Sequence, residues 1–170
     1  GFVHHQQIIW NKGRTVLTRT HYWFAHEPCW YVRKKNAPWY GKPGENSTIW
    51  DSPSPKFIMG GSGEEKFDHP TQKPESLLQR VMLATTNPGD IVLDPFFGTG
   101  TTGAVAKQLG RNFIGIEREE VYARGARARI ANTEMLPEDA LKTTTGKRAE
   151  PRVPFGTLIE RGLVKVGETI

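Results

Sequence analysis

An α/β fold with a partial, Rossmann-like parallel sheet follows from three observations. A short apolar run, Ile91-Val92-Leu93, leads directly into Asp94-Pro95-Phe96-Phe97-Gly98-Thr99-Gly100-Thr101-Thr102. An Ala-containing stretch follows and ends at Gly110. A second apolar run, Asn112 to Ile116, then ends in Glu117. Strand, glycine loop, helix, strand and acid make a nucleotide-type binding unit whose terminal carboxylate suits a ribose diol.

The remaining elements follow in chain order. Ile8-Ile9-Trp10, Thr15-Val16-Leu17-Thr18 and Tyr22 to Val32 are rich in β-branched and aromatic residues and predict strands. Asn11-Lys12-Gly13 predicts a turn between the first two. Residues 36–68 carry Pro38, Pro43, Pro53 and Pro55 with little periodicity, and predict a loop-rich insert with one short strand around Ser47 to Trp50. Pro74 suits the first position of a helix running to about Thr86, with Leu77, Leu78, Val81 and Met82 as its apolar stripe. Asn87-Pro88-Gly89 stops that helix. A helix over Thr101 to Leu109 closes at Gly110, and a last helix runs from Glu119 to about Ala131, weakened by Gly125. The expected organisation is therefore a strand-rich segment over 1–35, a loop-rich region over 36–68, a glycine-loop half over 69–131, a polar linker over 132–150 and the start of a further module over 151–170.

Composition narrows the class. With 36% hydrophobic and 24% charged residues, the chain can build a packed core. No apolar run approaches the ~20 residues of a membrane span. Cys29 is the single cysteine, which excludes an internal disulfide and a cysteine-based zinc cluster and fits a reducing cytoplasm. The net charge of +5 divides into +3 over residues 1–68 (nine Lys/Arg against six Asp/Glu) and +2 over 69–130 (eight against six), while residues 131–170 balance at six each. This excess permits a polyanionic partner without requiring one. Both ends look cut, so a fragment of a longer protein is expected.

Gly98-Thr99-Gly100-Thr101-Thr102-Gly103 satisfies the spacing G-x-G-x-x-G, but three features argue against a dinucleotide. Pro95-Phe96-Phe97 separates the strand from the first glycine. Asp94 at the strand end would repel a pyrophosphate, yet it can accept hydrogen bonds from an ammonium group. The loop carries no basic residue. A nucleoside with a zwitterionic amino-acid tail, S-adenosylmethionine, fits better. Gly98 and Gly100 allow a sharp turn and close backbone approach. Thr99, Thr101 and Thr102 offer hydroxyls, the start of the helix offers N–H groups to a carboxylate, and Glu117 can hold both ribose hydroxyls. No metal site is expected.

At these residues the chain resembles the amino-group DNA methyltransferases, which methylate adenine N6 or cytosine N4, and specifically the permuted subgroup in which the cofactor half follows the catalytic half. His69-Pro70-Thr71-Gln72-Lys73-Pro74, Asp94 to Thr102 and Gly115-Ile116-Glu117 match three of its motifs in order. The resemblance implies an S-adenosylmethionine-dependent methyltransferase fold acting on double-stranded DNA. It implies that His69, Pro70, Thr71, Gln72, Lys73, Asp94, Pro95, Phe96, Gly98, Thr99, Gly100, Thr101, Thr102 and Glu117 bind the cofactor. Lys147-Arg148-Ala149-Glu150-Pro151-Arg152-Val153-Pro154-Phe155-Gly156 looks like the start of the C-terminal extension of cell-cycle-regulated GANTC adenine methyltransferases, which favours adenine N6 over cytosine N4.

One departure outweighs the matches. The family presents its target base with Asp/Asn/Ser-Pro-Pro-aromatic, and no two prolines are adjacent anywhere in this chain. Asp51-Ser52-Pro53-Ser54 lacks the second proline and the aromatic ring. In the permuted order the missing tetrad precedes Gly1, so no catalytic residue is assigned, and the chain alone is expected not to transfer methyl groups. By the same resemblance, DNA contacts are expected at Arg14, Arg33, Lys34, Lys35 and Lys42 through phosphates, and at Trp39 and Tyr40 through stacking. Arg124, Arg127 and Arg129 are read as solvent-exposed, and His26-Glu27 as a structural hydrogen-bonded pair. A homodimer stays open as an assembly. The competing readings are a cytosine-N4 enzyme, a non-catalytic DNA-binding remnant or partner subunit, and a nicotinamide-dependent oxidoreductase.

Overall fold

A computed structural model describes residues 1–16, 19–41, 46–53, 55 and 72–140. Leu17 and Thr18 of the second expected strand, Lys42, the loop region over 56–68, His69, Pro70, Thr71, the linker beyond residue 140 and the module over 151–170 lie outside the described residues.

The first layer is a three-stranded sheet. β1 (Val3–Val16) pairs antiparallel with β2 (Phe24–Arg33), with Ile8 opposite Cys29 and Trp10 opposite Glu27. β3 (Ile49–Asp51) joins the other edge of β1 in parallel, with Trp50 beside Trp10. The expected turn at Asn11-Lys12-Gly13 is instead a bulge within one continuous strand. The pairing moves from Asn11 opposite His26 to Val16 opposite Phe24, so β1 advances five residues while β2 advances two. Gly13 takes the left-handed conformation at φ 71, and its N–H bonds to Asn11 Oδ1 at 3.1 Å. A bulge uses the same turn residues as a hairpin but keeps the strand direction.

The second layer is a parallel pair, β4 (Ile91–Asp94) and β5 (Asn112–Gly115), in register from Ile91–Asn112 to Asp94–Gly115. α2 (Thr101–Gln108) packs on it, and α1 (Glu75–Thr85) and α3 (Glu120–Asn132) pack against α2. Pro74 precedes α1 as its cap, one position earlier than expected. Gly100 caps α2 in the left-handed conformation. The helix ends in a Schellman arrangement, with Gly110 at φ 69, its N–H on Lys107 O at 3.1 Å and the Arg111 N–H on Ala106 O at 2.7 Å. Residues 132–140 carry a short 3-10 turn, Glu138–Ala140.

The core forms around α2. Met82, Val105, Ala106 and Leu109 are buried together, with Leu78, Leu83, Val92 and Phe113 packed against them. The stripe of α1 is narrower than expected, since Val81 faces outward. Among the described residues, the sheet is covered on one face only. Val92 and Phe113 point to α2, whereas Ile91, Leu93, Ile114 and Ile116 retain 65%, 61%, 52% and 56% exposure. Parallel sheets are ordinarily covered on both faces, so these four side chains form a bare apolar surface.

Candidate functional site

The glycine loop is held from three sides. Asp94 ends β4 and accepts the Phe96 N–H at 2.9 Å on one carboxylate oxygen and the Thr102 hydroxyl at 2.6 Å on the other. Glu117, just past β5, accepts the Gly98 N–H at 2.7 Å and the Glu119 N–H at 2.9 Å. The Phe97 ring folds beneath the loop and stacks on Phe113, with centroids 5.7 Å apart and planes 10° apart. That ring occupies the space over Gly115 and Gly103 that side chains there would need. Gly98 and Gly100 sit at φ 54 and 75. The two carboxylates at the ends of neighbouring strands therefore fix the loop's shape, and each Asp94 oxygen keeps a lone pair for a further donor.

Above the loop lies a cavity of about 380 Å³, within the ~300–1,000 Å³ usual for small-molecule sites. Gln72, Lys73, Asp94, Phe96, Gly98, Thr99, Thr101 and Thr102 line it. Pro95, Gly100 and Glu117 are not in its wall. Gly100 serves the helix cap, and Glu117 holds the cavity-lining Gly98 through its backbone N–H. Phe96 is 89% exposed at the mouth. Leu78 and Phe97 also line the cavity, and sequence reasoning did not select them. Leu78 carried only a core signal, and the inward turn of Phe97 depends on Gly103 and Gly115.

Lys73 connects this cavity to the first sheet. Its Nζ lies 3.2 Å from Glu27 Oε2 and 5.4 Å from the centroid of the Trp10 ring. Lys12 Nζ reaches Glu27 Oε1 at 2.6 Å and also faces Trp10 at 5.2 Å. The indole of Trp10 is buried and donates to Ser52 O at 2.7 Å. Partial burial pushes the Glu27 carboxyl up, but hydrogen bonds and charge from Lys12 and Lys73 outweigh it and hold the group below its ordinary value. Glu27 thus pairs with two lysines and not with His26. Successive strand residues point to opposite faces, which places the two side chains apart.

The expected DNA contacts do not form one patch. Arg14 lies near the tip of the β1–β2 hairpin, while Arg33 opposes Val3 at the far end. Their separation is about 25 Å at ~3.3 Å per residue. Lys34 and Lys35 are exposed just beyond Arg33, whose Nη1 bonds to Lys35 O at 3.2 Å. Trp39 tilts against Tyr31 at 6.2 Å and overlies Gly41. The backbone N–H of Tyr40 bonds to Ala84 O at 2.8 Å. Trp39 therefore also has a packing role, and Tyr40 is tied to α1 through its backbone. The hairpin tip instead carries an open apolar pocket lined by Thr20, His21, Tyr22, Trp23, Phe24 and His26, a region the sequence predicts as strand from Tyr22 onward. On α3, Arg124 and Arg127 are exposed as expected, but Arg129 is buried and pairs with Glu75 at 2.6 Å. Among the described residues, no group of three or more His, Cys, Asp or Glu could hold a metal ion. No helix there is long and apolar enough to cross a membrane.

Comparison with known proteins gives a consistent result. The type II methyltransferase M.HinfI of Haemophilus influenzae is 52% identical over 179 residues, covering 96% of this chain and 49% of that protein. The type II methyltransferase M2.DpnII of Streptococcus pneumoniae is 41% identical over 139 residues, covering 76% and 52% respectively. The chain thus spans about half the length of the curated relatives it matches. The crystal structure of an M1.HpyAVI–SAM complex matches at 38% identity and a TM-score of 0.62, over 76% of this chain and 63% of that one. The cytosine-N4-specific PvuII DNA methyltransferase, 19% identical, matches in fold with a TM-score of 0.65 over 83% of this chain and 55% of that one. The fold is therefore that of the S-adenosylmethionine-dependent DNA methyltransferases. A family profile described as DNA methylase covers residues 1–128, and on this match and these identities the chain belongs to the DNA methylase family.

Proposed function

We propose that this chain is the cofactor-binding part of a site-specific DNA adenine-N6 methyltransferase. The carrying observation is the cavity over Asp94 to Thr102, whose loop is anchored by two carboxylates at strand ends and carries no basic residue. S-adenosylmethionine fits these groups. Asp94 suits an ammonium, the Thr99 and Thr101 hydroxyls and the first N–H groups of α2 suit a carboxylate, and Glu117 suits the ribose diol. Lys73, held by Glu27, adds positive charge on the carboxylate side. His69, Pro70 and Thr71 belong to the same expected binding segment as Gln72 and Lys73. When bound, the cofactor supplies a sulfonium-activated methyl group. The chain's own residues bind, orient and enclose it.

The base-presenting tetrad is absent from the 170 residues, so the reading requires that it come from another segment or another chain. The bare face of β4 and β5 supports this, because four exposed aliphatic side chains on a parallel sheet call for a covering layer. Double-stranded DNA is the substrate in this reading, with the hairpin-tip aromatics about 10 Å along β2 from Glu27 and well placed to meet an unstacked base. The resemblance of residues 147–156 to the extension of GANTC adenine methyltransferases favours adenine N6 over cytosine N4 in this reading. A second copy of the chain as partner is decided by sedimentation of the purified chain.

Calorimetric titration tests the reading directly. S-adenosylmethionine binds and NAD does not. Binding of NAD with no S-adenosylmethionine signal overturns the assignment. Tritiated-methyl transfer to DNA by the purified chain alone overturns the claim that the tetrad is supplied from elsewhere.

A further inference from the structure

Behind the cavity wall lies a polar cluster that cofactor binding as described above does not use. Glu75 at the start of α1 accepts from Arg129 Nη2 of α3 at 2.6 Å and from Gln108 Nε2 at the end of α2 at 2.8 Å. Gln79 Nε2 donates to Gln108 Oε1 at 3.0 Å. The guanidinium side chain is only 5% exposed. Its Nη1 reaches Thr101 Oγ1 at 2.9 Å, and Thr101 lines the cavity.

We propose that Arg129 is a positioning residue for the cofactor site, acting through Thr101. A guanidinium can only donate, so it occupies an acceptor site on the Thr101 oxygen and directs the hydroxyl proton elsewhere. The neighbouring Thr102 spends its proton on Asp94, at 2.6 Å. Among the described residues, Thr101 makes no hydrogen bond as donor, although the residue is buried. A buried hydroxyl proton without an acceptor is costly, and the open direction is the cavity. The acceptor that fits is an anionic oxygen. Thr101 opens α2, where unpaired N–H groups favour negative charge. Glu75 neutralises Arg129, so the guanidinium is held in place without competing for the ligand. Ordering one hydroxyl ahead of binding removes a cost that the ligand would otherwise meet. This inference rests on the methyl-donor reading and names the ligand's carboxylate as the group Thr101 recognises.

The test is a double-mutant cycle on the 170-residue chain, read by S-adenosylmethionine calorimetry and by thermal midpoint. Thr101→Val weakens binding roughly ten- to a hundredfold. Thr101→Ser, which restores the hydroxyl, recovers most of that loss. Arg129→Met weakens binding in the parent but adds nothing in the Thr101→Val background, while lowering the midpoint in both. If Arg129→Met does not fold, Arg129→Lys keeps the ion pair with Glu75 and carries the same comparison. An equal loss of affinity from Arg129 substitution in both backgrounds marks a purely structural residue and overturns the inference alone. Absence of binding by the parent chain overturns the methyl-donor reading and this inference with it.

Discussion

Gly98 donates its backbone N–H to the carboxylate of Glu117 at 2.7 Å, which ties the glycine loop to the end of the next strand. Because Glu117 also accepts the Glu119 N–H at 2.9 Å, one side chain fixes both the loop and the entry to α3. Glu117→Ala is therefore expected to do two things. It removes the ribose acceptor, and it releases a loop N–H whose charged partner contributes about 1.5–3 kcal/mol. Calorimetry is expected to register at least a tenfold loss of S-adenosylmethionine affinity, together with a lower thermal midpoint. An unchanged midpoint with lost binding would mean that the carboxylate acts on the ligand alone.

The Phe97 ring sets a second expectation. It fills the space that a Cβ at Gly115 would occupy, and it also limits Gly103, where a Cβ would come within 2.6 Å of the ring. Gly115→Ala overpacks this layer at a cost of about 1–3 kcal/mol. In a Phe97→Ala background the same substitution costs much less, since its obstacle is gone. Urea unfolding of the two single variants and the double variant measures the coupling. Additive costs would show that the ring yields freely.

Gly125 is the opposite case. It lies inside α3, and a Cβ there meets nothing within 4 Å. Its φ is not positive. Gly125→Ala should stabilise the chain by about 0.5–1 kcal/mol through helix propensity and the reduced freedom of the unfolded state. A rise in thermal midpoint with unchanged ligand affinity checks it, and a fall refutes it.

The second layer was legible in the sequence because its signals are local. A strand, a glycine cap and a Schellman end each occupy a few consecutive residues, so β4, α2 and β5 fall within a residue or two of expectation. The bulge at Gly13 was not legible, since Asn-Lys-Gly suits a hairpin turn equally well and only pairing with β2 distinguishes them. Arg129 was misjudged for a related reason. Three arginines on one helix look alike until Glu75, fifty-four positions away, selects one of them for burial. The partners of Glu27 were hidden in the same way, because Lys12 and Lys73 meet it only across the β1–β2 pairing and the approach of α1.

That three-residue contact has a pH signature. Lys12 and Lys73 hold the Glu27 carboxyl below its ordinary value despite the opposing effect of partial burial. A carboxyl whose pKa is depressed on folding contributes stability that is fully present above the unfolded value. That contribution is lost as pH falls through the lower, folded value. Stability near neutrality therefore includes the contact, and the acid limb below about pH 4.5 should lose it. Glu27→Gln removes the proton linkage while keeping the side chain's shape. Its stability is expected to be lower at pH 7 and to converge on the parent at the acid end. Since Glu27 is partly exposed, salt screens part of the difference, which should shrink at high ionic strength. Lys73 lines the cavity, so S-adenosylmethionine affinity should weaken in Glu27→Gln as the lysine loses its anchor. Parallel denaturant curves for parent and variant across pH 3 to 7 would show instead that the two lysines are satisfied by solvent and that Glu27 anchors neither.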